Sequence, residues 1–198
     1  KDGIYYYEVP SPPYQYKYMY ANVCEIRNRG LEVMLNAIPV QTADFNWNTS
    51  LTYSSNQNKL LSLQNEEFQL TTDYFDTGHT GEPIQTSTHR VKEGWALGNF
   101  YGLRSVGLNA GGYWLVERYN YEDGVPVSKY YDLAENAGQE DWQILGNGVP
   151  KYFLNWNNNF QYKGLDLAVS MRGAFAFQIL NYQKMYYGNP TIQYNLLN

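Results

Sequence analysis

The chain has 198 residues, a formal net charge of −5, and 17% charged against 17% aromatic side chains, with 21 tyrosines and five tryptophans. That length suffices for one domain with a sizeable core. The acidic balance excludes the basic footprint of a nucleic-acid binder, so no nucleic-acid partner is expected. The single cysteine, Cys24, rules out an intrachain disulfide scaffold.

The opening "KDGIYYYEVPSPPY" lacks the charged-then-apolar layout of an export leader, as expected if the beginning of an exported protein is missing. The proline-rich "YEVPSPPYQY" reads as a loop or an interrupted edge. In "LEVMLNAIPV", Leu31, Val33, Leu35 and Ala37 alternate with Glu32, Met34 and Asn36. In "FNWNTSLTYSS", Phe45, Trp47, Thr49, Leu51 and Tyr53 alternate with Asn46, Asn48, Ser50, Thr52 and Ser54. A period of two marks extended strands with two unlike faces. The spacing predicts antiparallel strands over Glu25–Val40 and Phe45–Ser55, turning near Thr42–Ala43. From Asn56 to about Pro83 the alternation dissolves and a long polar loop is expected. "IQTSTHRVKEGWALGNFYGLRSVGL" reads as a hairpin turning at Lys92–Gly94, and a second long loop is expected from Asn109 to about Leu145, with room for a short helix over Asp132–Gly138. The clearest hairpin follows: strands over Tyr152–Tyr162 and Leu165–Gln178 with a turn at Lys163–Gly164. A third loop begins at "NYQKMYYGNP".

Short turns therefore alternate with long loops, the layout of transmembrane β-barrels. No apolar run reaches the ~18 residues of a membrane helix. The same periodicity also fits a soluble aromatic-rich, carbohydrate-binding β-sandwich module, whose apolar face would be its core. The two readings differ in one observable. Leu51, Leu165, Leu167, Val169 and Phe175 should be uncovered in a barrel wall and packed against a second sheet in a sandwich. Asn46, Asn48, Ser50, Asp166, Ser170 and Arg172 should share the opposite, concave face.

Several segments in order resemble the late barrel region of the SusC/RagA family of TonB-dependent outer-membrane transporters. "NRGLEVMLNAIPVQTADFNWNTSLTYSSNQNKLLSL" is similar to the family's N-K-G-hydrophobic-E strand and its W-x-T strand ending in N-x-N-K. "EGWALGNFYGLRSVGL" is similar to G-x-P-hydrophobic-G-x-F-Y-G, and "ILGNGVPKYFLNWNNNFQYKGLDLAVSMRGAFAFQILN" to the I-G-N-x-x-P-K, Y-K-G and R-G-x-x-G…N series. The resemblance runs from Asn22 to Pro190. It implies an all-β fold: an antiparallel curved meander sheet, part of a large transmembrane β-barrel with long extracellular loops. Family barrels have roughly 22 strands around a plug. Residues 1–198 supply about seven, so the plug, early strands and last strands are expected to lie outside the chain.

The resemblance further implies nutrient import, of glycan or peptide, at the cell outer membrane, with a SusD-like lipoprotein, the TonB complex and outer-membrane lipid as partners of the full-length protein. It implies no cofactor and no enzyme activity. Tyr53, Tyr152, Tyr162 and Tyr101 are candidates for the interfacial aromatic girdle. Tyr130, Tyr131 and Trp142 are candidates for stacking on a sugar or peptide, or else for loop packing. Asp166 and Arg172, on the amide face of one strand, complete the candidate ligand-contacting set. The family's acidic D-x-N-x-D-G loop is here "DLAENAGQEDWQILGNG"; Asp132, Glu135 and Asp141 remain, but the spacing is broken and no metal site is expected. His79 and His89 lack metal-ligand spacing.

Overall fold

The computed structural model describes residues 2–8, 15–64, 66, 72–82 and 84–188. They form twelve strands, two single-turn 3-10 segments and one short helix. The chain divides into two units: residues 1–73, 92–97 and 149–178, and residues 74–91, 98–148 and 179–198.

The first unit is built on one curled five-stranded antiparallel sheet. Its strands are β1 (Asp2–Glu8), β2 (Tyr18–Gln41), β3 (Phe45–Ser62), β11 (Tyr152–Tyr162) and β12 (Leu165–Phe175), in the order β1-β2-β3-β11-β12. β2, β3, β11 and β12 match the predicted strands, with both turns where expected. Thr42 closes the first turn: its amide donates to the Phe45 carbonyl at 2.7 Å, and its hydroxyl accepts from the Phe45 amide at 2.9 Å. The Lys163 amide donates to the Asp44 carbonyl at 2.9 Å, so both short turns lie at the same end of the sheet.

Three boundaries differ from expectation: β12 stops at Phe175 rather than Gln178, and two other strands are longer than expected. β2 begins at Tyr18 and β3 runs on to Ser62, deep into the expected polar loop. The extension of β3 finds partners past the end of β11. Leu60 exchanges backbone bonds with the 94–95 segment at 2.8 and 2.9 Å, and the Leu97 amide donates to Asn58 Oδ1 at 2.6 Å. Among the described residues, the buried apolar side chains of this unit, Ala21, Val23, Cys24, Leu60 and Leu63, belong to this far end rather than to the hairpins.

Gly30 is required where β2 and β3 approach. A Cβ there would lie 2.4 Å from the Ser55 carbonyl oxygen, inside any tolerable contact. Because the obstacle is backbone, the strands themselves would have to part. Gly30→Ala is therefore expected to lower stability by about 1–2 kcal/mol, read as earlier unfolding of the full-length protein in lipid. Wild-type stability for that variant would refute the close approach.

The second unit holds two smaller sheets. One is β10-β6-β5-β4, from β4 (Tyr74–His79), β5 (Ser87–Lys92), β6 (Asn99–Gly102) and β10 (Gln143–Asn147). The other is β7-β8-β9, from β7 (Ser105–Leu108), β8 (Trp114–Glu122) and β9 (Val125–Leu133). The expected second long loop is thus largely a hairpin. Its turn is Asp123–Gly124, at φ of 50° and 77°, and positive φ at both positions defines the type I′ hairpin turn that Asp-Gly favours. The expected helix over Asp132–Gly138 is instead the end of β9 and a 3-10 turn at Ala134–Asn136. The third loop contains α1 (Tyr182–Tyr187), whose Tyr182 and Tyr186 hydroxyls bond Thr88 and the Thr80 carbonyl. By connectivity this unit is made of the long links between β3 and β11 and the chain after β12, all leaving the sheet at the end away from its short turns.

Candidate functional site

The pairing register sorts the side chains of β2, β3, β11 and β12 onto two faces. One face carries the rows Gln41–Asn46–Gln161–Asp166, Asn48–Asn159–Ala168, Asn36–Ser50–Asn157–Ser170 and Met34–Thr52–Asn155–Arg172. All six polar residues expected to share a face do so. Asn46 Nδ2 donates to Gln161 Oε1 and Asn157 Nδ2 to Ser50 Oγ, each at 3.4 Å. A recess of about 410 Å³, whose lining includes Asn36, Asn48, Ser50 and Asn159, opens along these rows. This face offers donors and acceptors with little net charge, a surface suited to hydroxyl- or amide-rich ligands.

The other face carries Phe45–Tyr162–Leu165, Val40–Trp47–Phe160–Leu167, Ala37–Thr49–Asn158–Val169, Leu35–Leu51–Trp156–Met171, Val33–Tyr53–Leu154–Gly173 and Leu31–Ser55–Tyr152–Phe175. Leu165 is 73% exposed, Leu167 59%, and Leu51 and Phe175 40% each; Val169 is half-buried. Among the described residues no second sheet covers them, and the curled antiparallel sheet is not a β-sandwich.

Aromatic rings cross the strands near both ends of the face. Trp47 stacks on Phe160 at 5.6 Å near the short turns. Tyr53 meets Tyr152 at 6.1 Å and Tyr152 stacks on Phe175 at 5.2 Å at the opposite end. From Phe45 to Ser55 the band is roughly 34 Å long at the rise of an antiparallel strand. Tilted by 35–45°, it projects to about 24–28 Å, the height of the apolar band of an outer-membrane barrel.

Besides Ser55 at its end, two polar side chains, Thr49 and Asn158, share one row inside this band, and each accepts a hydrogen bond across the strands. Trp47 Nε1 donates to Asn158 Oδ1 at 3.0 Å, and Trp156 Nε1 to Thr49 Oγ1 at 2.9 Å. Asn158 is only 3% exposed, roofed by its aromatic neighbours.

The second unit is organised around cations held by rings and carboxylates. Arg90, 9% exposed, lies between the Tyr74 and Tyr101 rings, 4.0 and 4.2 Å from their centroids. It makes a bidentate pair with Asp76 at 2.7 and 2.8 Å. Tyr101 is thus bound to Arg90 in this unit and does not belong to the girdle of the sheet. Arg118 bridges Asp132 and Asp141, each at 2.9 Å. Two of the three acidic residues left from the family's acidic loop therefore serve a guanidinium. Among the described residues no group of three or more side chains is arranged to hold a metal.

Of the candidate ligand residues, Tyr130 and Tyr131 are neighbours on β9 and point to opposite faces. Tyr130 packs beside Arg118, 5.5 Å from its centroid, while Tyr131 is 56% exposed with Lys129 5.9 Å away. Trp142 lies 6.0 Å from the Tyr101 ring. Asp166 and Arg172, in the first unit, are both exposed on the amide face, six positions apart on β12. The Trp47–Asn158 and Trp156–Thr49 pairs and the arginine clamps were not among the candidate site residues drawn from sequence.

Glu117 accepts from the Tyr119 hydroxyl and from Lys129, and these partners hold its carboxylate below the usual range. Asn136, the Leu133 amide and Arg118 do the same for Asp132. Because the folded pKa values lie below the unfolded ones of about 4.3 and 3.9, this stabilisation is complete above those values and is lost as pH falls through the folded ones. Hydrogen-exchange protection of the β8–β9 amides, corrected for intrinsic rate, is expected to hold from pH 7 to about pH 4.5 and to fall below pH 4. Glu117→Gln should flatten that fall; an identical profile in the variant would remove Glu117 from it.

A curled antiparallel wall with short turns at one end, long links at the other and an aromatic-bounded apolar outer face has the architecture of an outer-membrane β-barrel segment. No protein-family model matches the chain. The TonB-dependent receptor P3 of Formosa agariphila is 27% identical over 179 residues, 85% of this chain and 17% of that receptor. Receptor P39 of the same organism is 34% identical over 138 residues, 66% of this chain and 11% of the relative. The TonB-dependent receptor SusC of Bacteroides thetaiotaomicron is 24% identical over 163 residues, 79% of this chain and 14% of the relative. Among solved structures, the RagAB peptide importer in its closed-closed state gives a TM-score of 0.73 at 16% identity, over 95% of this chain and 19% of that one. A second RagAB peptide transporter structure gives 0.67. The chain is thus similar to TonB-dependent receptors, SusC among them, and in fold to RagAB, and it spans less than a fifth of the relatives it matches.

Proposed function

We propose that this chain is part of the barrel wall and external loops of an outer-membrane importer that takes up a glycan or peptide nutrient. The observation that carries the reading is the outer face: an uncovered apolar band of membrane height between two aromatic stripes. That face needs lipid as its solvent. The amide rows behind it line the lumen, and Tyr130, Tyr131, Trp142, Asp166 and Arg172 contribute ligand contacts from loops and wall. A SusD-like lipoprotein and the TonB complex serve the full-length protein, as the matches to SusC and RagAB suggest. The work done is binding and transport, without bond cleavage.

The test uses the full-length protein containing this chain. It should fractionate with the outer membrane and need detergent for extraction. Cells lacking it should lose uptake of one oligosaccharide or peptide class. Arg172→Ala should weaken uptake of that ligand several-fold with the folded fraction unchanged. Recovery of the full-length protein as a detergent-free soluble species would refute the reading.

A further inference from the structure

The outer face does not end at the aromatic stripe on its long-link side. Continuing the register past Leu31–Ser55, the next rows on the same face are Arg29–Gln57 and Arg27–Lys59. Three cations thus stand one and two rows beyond Tyr152 and Phe175, on adjacent strands. All three are exposed. None forms an ion pair among the described residues. They line a shallow recess of about 190 Å³ together with Gln57, Asn58, Gly94 and Ala96. In a chain of net charge −5, three unpaired cations at one spot are a local reversal of sign.

We infer that Arg27, Arg29 and Lys59 form a binding site for the phosphate-bearing headgroup of an outer-leaflet lipid. The inference rests on the membrane placement proposed above. One row along the strand is roughly 7 Å, and the aromatic stripe marks the level of the interface. The cations therefore stand at headgroup height, with their aliphatic stems against the edge of the apolar band and their charges toward water. Arginine presents a planar fork that fits two phosphate oxygens at once, and lysine adds a mobile point charge. The acyl chains of such a lipid would lie along Leu31, Val33 and Leu35, which are exposed directly below on β2. A free phosphate ion would gain the charges and none of that apolar contact, so the lipid is the occupant favoured.

The test uses the full-length protein in detergent, with bisphosphorylated lipid A, dephosphorylated lipid A and inorganic phosphate as probes. Binding is read by native mass spectrometry. Each cation near a membrane surface contributes about fivefold, so Arg27→Gln/Arg29→Gln/Lys59→Gln should bind the phosphorylated lipid on the order of a hundredfold more weakly. The dephosphorylated lipid should bind both proteins equally and weakly, and millimolar phosphate should not displace the phosphorylated one. The three positions are exposed, so the variant should retain wild-type heat-modifiable migration. Equal retention of phosphorylated lipid by the two proteins would overturn the inference, as would displacement by phosphate alone. Failure of the protein to require detergent would instead sink the membrane placement itself, a separate and earlier result.

Discussion

Leu51→Arg is expected to destabilise the lipid-embedded protein by about 2–4 kcal/mol, whereas Ser50→Arg should be close to neutral. The two residues are adjacent in sequence and face opposite ways. Leu51 shares its row with Leu35, Trp156 and Met171, near the middle of the apolar band and between the aromatic stripes. A guanidinium there leaves water for hydrocarbon with no acid on the same row to receive it. Ser50 shares its row with Asn36, Asn157 and Ser170 on the amide face. An arginine at that position stays hydrated and finds amide acceptors on either side. The measurement is reversible chemical unfolding of the full-length protein in lipid vesicles. Equal costs for the two variants would mean that the faces are not solvated differently, and the two-solvent account of this sheet would fail.

How far the sequence foretold this wall depends on what each segment touches. The paired strands from Leu31 to Tyr53 and from Tyr152 to Phe175 were legible because one side is apolar and aromatic and the other amide and hydroxyl. That difference writes a period of two into the residues. The start of β2 and the end of β3 were missed because alternation fades there. "NQNK" is polar on both faces beyond the apolar band, and a strand with two wet faces carries no hydrophobic period. Of the second unit only the β5–β6 hairpin was legible; the rest was missed for a related reason. Its strands are held by clamps such as Asp76–Arg90 and Asp132–Arg118–Asp141, which join residues distant in sequence and have no local pattern. One signal was available and unused: "EDGV" between "WLVERYNYE" and "VPVSKYYDL" carries the Asp-Gly of a two-residue hairpin. Tyr101 shows the limit of assigning rings by composition. A tyrosine at a strand end can serve a membrane interface or sandwich an arginine, and only the fold reveals which.

Asn158 was the one amide in the apolar series Leu154, Trp156, Phe160, Tyr162, and its partner leads to a second pair of expected results. Trp47→Phe should cost about 1–3 kcal/mol, because it keeps the ring stack with Phe160 and removes the indole N–H that donates to the buried Asn158 side-chain oxygen. Asn158→Leu alone should cost less than that, since it removes the buried amide but strands the indole N–H, which can tilt toward the interface. The double substitution should recover most of the loss, because replacing both partners with apolar groups leaves nothing unsatisfied. A double-mutant cycle on the full-length protein in lipid measures the coupling. Additive costs would show that Trp47 and Asn158 do not bond in the membrane. A coupling of about 0.6–1.7 kcal/mol, the range known for hydrogen bonds between membrane-buried groups, would show that the indole is what lets an asparagine occupy a lipid-facing row. Trp156 and Thr49 repeat the arrangement one row along with donor and acceptor strands exchanged. β3 and β11 each supply one donor and one acceptor, so a shift of register by two residues along either strand would break both bonds at once. The two polar residues in the apolar band thus help to fix which residues of β3 and β11 lie side by side, a choice that uniform hydrophobic alternation leaves open.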